Sequence, residues 1–135
     1  MKRKLFYNTS QKELMDVAAG IQKADLVVSN CRILNVYTRE ILDDHSIYIK
    51  DKWIACISRD DVKRKGKATQ VVDAEGMVVI PGLIDGHTHL ANYFNAKEFL
   101  SYAIAGGTTC LVTETLEAYS VGGLEGGIDF IASYQ

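Results

Sequence analysis

Proline is nearly absent from this sequence. A single one, Pro81, stands among 135 residues, so no proline-rich linker or recognition segment is present and that one residue acts as punctuation. Cysteine is also scarce. Cys31, Cys56 and Cys110 are odd in number, far apart and without a C-x-x-C pair, which excludes a disulfide framework and a zinc ribbon and fits reduced thiols in the cytoplasm. No apolar run approaches the roughly 20 residues of a membrane helix, and the basic start, residues 1–7, lacks the apolar core of a signal peptide. A membrane is not an expected partner. Neither sign of charge dominates, since 15 basic and 17 acidic residues leave a net charge of −2, so nucleic acid is not an expected partner either. The one basic cluster, Lys63, Arg64, Lys65 and Lys67, reads as a solvated loop.

What remains is ordinary for a folded chain. Hydrophobic residues make up 47% and charged residues 24%, which excludes disordered and collagen-like classes. The length fits one common domain or two small ones.

The hydrophobic period divides the chain. Ser10 and Glu13 have capping-box spacing, so a helix begins there, with Leu14, Val17, Ala18 and Ile21 recurring at helical intervals and Gly20 closing it. From residue 25 to 80 the pattern turns to short β runs: 26–29, 32–36, 46–50 and 53–58, then 70–73 and 77–80. Asp51-Lys52 reads as a hairpin turn and Ala74-Glu75-Gly76 as another turn. Pro81-Gly82 ends this β-rich part, which reads as a small sandwich or half-barrel.

Beyond it an apolar stretch runs into Asp85-Gly86-His87-Thr88-His89. Asn95 caps a helix through Ala105, with Phe99, Leu100, Ala103 and Ile104 on one face and Gly106-Gly107 at its end. Residues 108–113 form a buried strand in which Cys110 is expected to pack. Strand, helix and strand make a βαβ unit, the signature of a parallel sheet. Gly122, Gly123, Gly126 and Gly127 read as the following loop, with a second helix opening over 128–134. The expected divisions are 1–23, a helical lead-in; 24–81, the β part; and 82–135, the start of the parallel α/β part.

The candidate chemistry lies at His87 and His89. Alternate residues of a strand share a face, so both imidazoles can reach one metal ion. A bare pair of this kind more often decorates a wet strand face; its setting decides. Asp85 either orients His87 as a carboxylate partner or caps the strand end. Glu114 and Glu117 lie just past the next strand, placed to meet metal or substrate or simply solvent. His45, without a partner at ligand spacing, reads as structural.

The stretch from Val78 to Leu90, with Pro81-Gly82-Leu83-Ile84-Asp85-Gly86-His87-Thr88-His89 at its centre, resembles the opening signature of the amidohydrolase superfamily. That resemblance implies an α/β fold: a small β-sandwich composed from both chain ends, followed by a metal-dependent (β/α)8 barrel, of which these residues hold only the first βαβ. It also implies that His87 and His89 ligate a divalent metal, manganese, iron or zinc.

A narrower resemblance runs through Glu13-Leu14-Met15-Asp16-Val17-Ala18-Ala19-Gly20, Ala24-Asp25-Leu26-Val27-Val28, residues 35–41 and Gly107-Thr108-Thr109. These look like the start of the adenine deaminase family. It implies hydrolysis of adenine to hypoxanthine and ammonia, a small-molecule purine substrate, a homo-oligomeric complete enzyme, and a catalytic role for Glu117, which matches the glutamate of an Asp-Pro-His-Glu segment. The sequence departs from the family at Glu114, Thr115 and Leu116 in that segment and at Ala91-Asn92-Tyr93. Cyclic-amide hydrolases of the dihydroorotase or hydantoinase type share the histidine signature, but the helix before Asp25 favours the deaminases. An N-terminal fragment inactive alone, or a non-catalytic truncated product, is the further expectation.

Overall fold

Ser10 begins a helix because two free backbone donors at the helix start are satisfied at once. Its side chain accepts from the Glu13 N–H, and Glu13 Oε2 accepts from the Ser10 N–H at 2.7 Å, the reciprocal bonds of a capping box. Helix α1 (Gln11–Ala18) ends at Gly20, whose φ of 74° is the left-handed conformation glycine adopts without penalty. The Gly20 N–H donates to Val17 O and the Ile21 N–H to Asp16 O, which completes a Schellman motif. The computed structural model describes residues 9–59, 62–90 and 95–133. The basic start and Ala91-Asn92-Tyr93 lie outside the described residues, as does the end of the helix expected over 128–134.

The chain divides into two compact units, Met1–Ile80 and Pro81–Gln135. The first holds one five-stranded sheet, in the order β3-β2-β1-β4 with β5 also on β1. β1 (Leu26–Asn35) and β2 (Glu40–Lys50) are antiparallel, and β2 continues through the Asp51-Lys52 turn into antiparallel β3 (Trp53–Arg59). β4 (Gln70–Asp73) and β5 (Val78–Val79) run parallel to the two halves of β1, joined by a bend in which Glu75 and Gly76 have positive φ.

Two of the expected runs, 26–29 and 32–36, are one strand. Asn30 (φ 51°) adds a residue to β1, and Asp44 (φ 57°) adds one to β2. These opposed bulges restore the register, and asparagine and aspartate are the side chains that tolerate such backbone best.

The sheet's two faces carry separate clusters. Val27, Tyr48 and Ala24 are buried with Val17 of α1; Val27 and Tyr48 are direct cross-strand partners, so the helix closes over a single apolar row. Cys31, Ile33, Ile47 and Ala74 form the second cluster on the opposite face, but Ile54 and Val72 remain about half exposed or more.

Arg64, expected in a solvated loop, is instead a clamp. Its Nε and Nη2 donate to Ala18 O at 3.1 and 2.7 Å, satisfying a carbonyl at the end of α1. Its guanidinium also lies 5.3 Å from the centre of the Tyr48 ring, within cation–π range.

In the second unit, β6 (Leu83–Thr88) pairs in parallel with β7 (Thr108–Thr113) across helix α2 (Ala96–Ala105). Asn95 caps α2 by accepting the Glu98 N–H at 3.0 Å. Gly82 lies so close to Thr109 that an added Cβ would stand 2.0 Å from its Oγ1. Two expectations are corrected here. The strand expected to be buried, β7, has no buried residue, and its Cys110 is exposed rather than packed, on the same pairing row as Ile84, which is 70% exposed. Residues 116–133, labelled α3 (Leu116–Ser133), are helical on both sides of a break at Gly123 (φ 62°, ψ −153°), so helix begins directly after β7 where a loop was expected. The turn breaks at Gly123 (φ 62°), and an added Cβ on Gly126 would stand 2.8 Å from Ala118 O, so these glycines permit the kink and a close backbone approach.

Candidate metal centre

The end of β6 presents its histidines side by side. Nε2 of His87 and Nε2 of His89 are 3.0 Å apart, with ring centroids 4.8 Å apart and planes inclined at 76°. Neighbouring acids come from the far end of β7. Glu114, between β7 and α3, has Oε1 3.1 Å from His89 Nδ1, and Glu117, on the first turn of α3, has Oε1 2.5 Å from the same atom. The parallel pairing of β6 and β7 makes this possible, because it brings the carboxyl ends of both strands to one edge. Glu117's hydrogen bond is the main reason the His89 imidazole is held above its ordinary pKa, with weaker attraction from the Glu114 and Glu117 charges.

His87, His89 and Glu114 each offer a donor atom, all within 4.8 Å of one another. Two imidazole nitrogens and a carboxylate suit zinc, iron or manganese. The 3.0 Å between the Nε2 atoms is less than twice a metal–nitrogen bond of roughly 2.1 Å, so one ion can rest on both. The donor set therefore fits a divalent metal.

Of the sequence candidates, His87, His89, Glu114 and Glu117 come together. Asp85 meets His87 at the backbone: its Oδ1 accepts the His87 N–H at 3.1 Å, which fixes the strand end. His45 belongs to the first unit, on β2, with its Nδ1 2.6 Å from Asp43 O. The sequence signal that finds Glu114 is its place just past the carboxyl end of β7. An apolar cavity of about 440 Å³ among β7, α2 and α3, lined in part by Leu100, Ile104, Leu111 and Phe130, includes neither histidine. It offers no titratable group.

The Amidohydrolase family matches residues 70–116, the stretch that contains His87, His89 and Glu114. The chain is 42% identical over 115 residues to an adenine deaminase of Ruegeria sp. (strain TM1040), covering 84% of this chain and 19% of that protein. The resemblance to amidohydrolases holds. An adenine deaminase of Ruegeria pomeroyi is 40% identical over 114 residues, covering 84% of this chain and again 19% of the relative. The chain thus spans about a fifth of the curated relatives it matches. Molinate hydrolase shares the fold, with a TM-score of 0.57 at 19% identity over 82% of this chain and 27% of that one. The amidohydrolase-like chain has no helix among its described residues long and apolar enough to cross a membrane.

Proposed function

We propose that this chain supplies the first metal-binding strand of a hydrolase that converts adenine and water to hypoxanthine and ammonia. The observation that carries the reading is the convergence of His87 and His89 at the end of β6, in a chain 42% identical to the matching part of an adenine deaminase. Under it, residues 1–23 are a lead-in, 24–81 are part of a small β-sandwich, and 82–135 begin a (β/α)8 barrel whose mouth receives a small purine.

His87 and His89 hold a manganese, iron or zinc ion, with Glu114 beside them. A divalent ion held there would lower the pKa of a coordinated water, the chemistry that hydrolytic deamination needs. The chain's own part is to aim the two Nε2 lone pairs, to fix the strand end through Asp85, and to hold His89 through Glu117. A cytoplasmic homo-oligomer with neither membrane nor nucleic acid as partner belongs to the same reading.

The 135 residues by themselves are inactive under this proposal. A (β/α)8 barrel takes about 250 residues, rarely fewer than about 200, and β6 with β7 supplies two parallel strands. Catalytic zinc commonly keeps three protein ligands and a supporting shell.

The experiment has two arms. A protein carrying these residues with the remaining length of the relatives is assayed for ammonia from adenine, dihydroorotate and hydantoin. Adenine turnover that disappears in His87→Ala is expected; turnover of the cyclic amides alone overturns the reading. The 135-residue chain is assayed with zinc, iron or manganese, and adenine turnover that co-purifies with it and is lost in His87→Ala overturns the claim of inactivity.

A further inference from the structure

His89 is gripped at both ring nitrogens. Nδ1 faces Glu117 Oε1 at 2.5 Å and Glu114 Oε1 at 3.1 Å, while Nε2 faces His87 Nε2 at 3.0 Å. A neutral imidazole has one N–H and one lone pair, and its hydrogen-bond partner decides which nitrogen carries which. An ionised carboxylate only accepts.

We propose that Glu117 is a positioning residue, taking the Nδ1–H of His89 so that the Nε2 lone pair is held toward His87 and a shared cation. This rests on reading His87 and His89 as a metal pair, and it replaces the catalytic role that resemblance alone implied for Glu117.

Three features separate Glu117 from a ligand. Its oxygen is hydrogen-bonded to Nδ1 at 2.5 Å, and a cation bound at Nδ1 would have to displace that contact. The donor atoms gathered within 4.8 Å among the described residues belong to His87, His89 and Glu114, a set that does not include Glu117. Glu117 is also the more enclosed acid, its side chain 28% exposed against 40% for Glu114, and it is held on the first turn of α3. A partner that fixes tautomer and ring orientation needs that rigidity.

The test uses the full chain. Long-range proton–nitrogen correlation spectra at mildly alkaline pH read the His89 tautomer without metal, and calorimetric titration reads zinc affinity. The Nδ1–H tautomer is expected in the wild type. Glu117→Ala is expected to weaken zinc binding about 10- to 100-fold and, because Glu114 Oε1 remains 3.1 Å from Nδ1, to raise the Nε2–H form only in part. Glu117→Gln, whose amide oxygen still accepts, is expected to keep the tautomer and to bind zinc within a few-fold of the wild type.

Zinc affinity as weak in Glu117→Gln as in Glu117→Ala makes Glu117 a ligand and overturns the proposal, as does an Nε2–H tautomer in the wild type. The Nδ1–H tautomer in a chain that binds no zinc supports the positioning contact and overturns the metal-pair reading instead.

Discussion

The Nε2 atoms of His87 and His89 stand 3.0 Å apart, too close for two facing lone pairs unless a proton or a cation lies between them. Under the proposed metal reading a divalent cation would take the place of that proton, so either truncation would remove half of its imidazole pair. His87→Ala and His89→Ala are each expected to weaken manganese or zinc binding at least about tenfold. His45→Ala, whose ring bonds to its own strand at Asp43 O, leaves binding unchanged. Calorimetric titration of the three variants measures this, and equal affinity in all of them removes the site.

A second expectation concerns the join of β6 and β7. An alanine at Gly82 would place its Cβ 2.0 Å from Thr109 Oγ1 and 2.8 Å from Thr109 Cβ, and the second distance cannot be relieved by rotating the side chain. Gly82→Ala should therefore cost about 1–3 kcal/mol through overpacking. Adding Thr109→Ala recovers part of that loss, since it removes Oγ1 but keeps Cβ. Urea midpoints of the single and double variants decide it, and an unchanged midpoint in Gly82→Ala refutes the contact.

Local chemistry explains which elements were legible in the sequence. The Ser10–Glu13 box, the Asn95 cap, the turn at Asp51-Lys52 and the 108–113 strand each depend on neighbours a few residues away, and each appears where the pattern places it. The pairing of β4 and β5 with β1 was not legible, because parallel register is set by residues more than forty positions apart, such as Val27 and Val71. Nor was the continuity of β1 across Asn30, where a positive φ reads locally as a turn. Four glycines hid α3, since helix propensity opposes them; the positive φ of Gly123 and the close approach of Gly126 to Ala118 O account for two. At the candidate site, strand periodicity was enough to pair His87 with His89. The contacts of Glu114 and Glu117 with His89 span 25 and 28 residues, and only the fold shows them.

Arg64 gives a third expectation. Loss of two charge-assisted bonds to Ala18 O and of the stacking on Tyr48 should lower the stability of the first unit by about 1–3 kcal/mol in Arg64→Ala. Arg64→Lys should recover only part, because an ammonium lacks the planar fork that reaches one carbonyl with two nitrogens. Denaturant unfolding followed by circular dichroism tests the order wild type, lysine, alanine; full rescue by lysine contradicts the fork argument.

Asp25 ties the entry of β1 to the β2–β3 turn, and its charge makes that tie dependent on pH. Its carboxylate accepts from Lys50 Nζ at 2.7 Å and from the Asp51 N–H at 2.8 Å. The Lys50 hydrogen bond first, then the Asp51 N–H, hold its pKa below the ordinary carboxylate value. A carboxyl group with a depressed folded pKa binds its proton more weakly in the native state than in the unfolded chain. Its contribution is therefore complete above the unfolded pKa of about 3.9 and is lost as pH falls through the lower folded value. Because the Asp25 side chain is half exposed, solvent screening limits that contribution to about 1 kcal/mol or less. Glu13 and Asp73 are shifted in the same direction, so acid weakens the wild type by more than Asp25 alone. Those groups are shared with the Asp25→Asn variant and cancel in the comparison. The stability difference between wild type and Asp25→Asn should be constant near neutral pH and should shrink below about pH 4. Urea unfolding of both proteins across that range measures it, and a difference that grows on acidification contradicts the assignment.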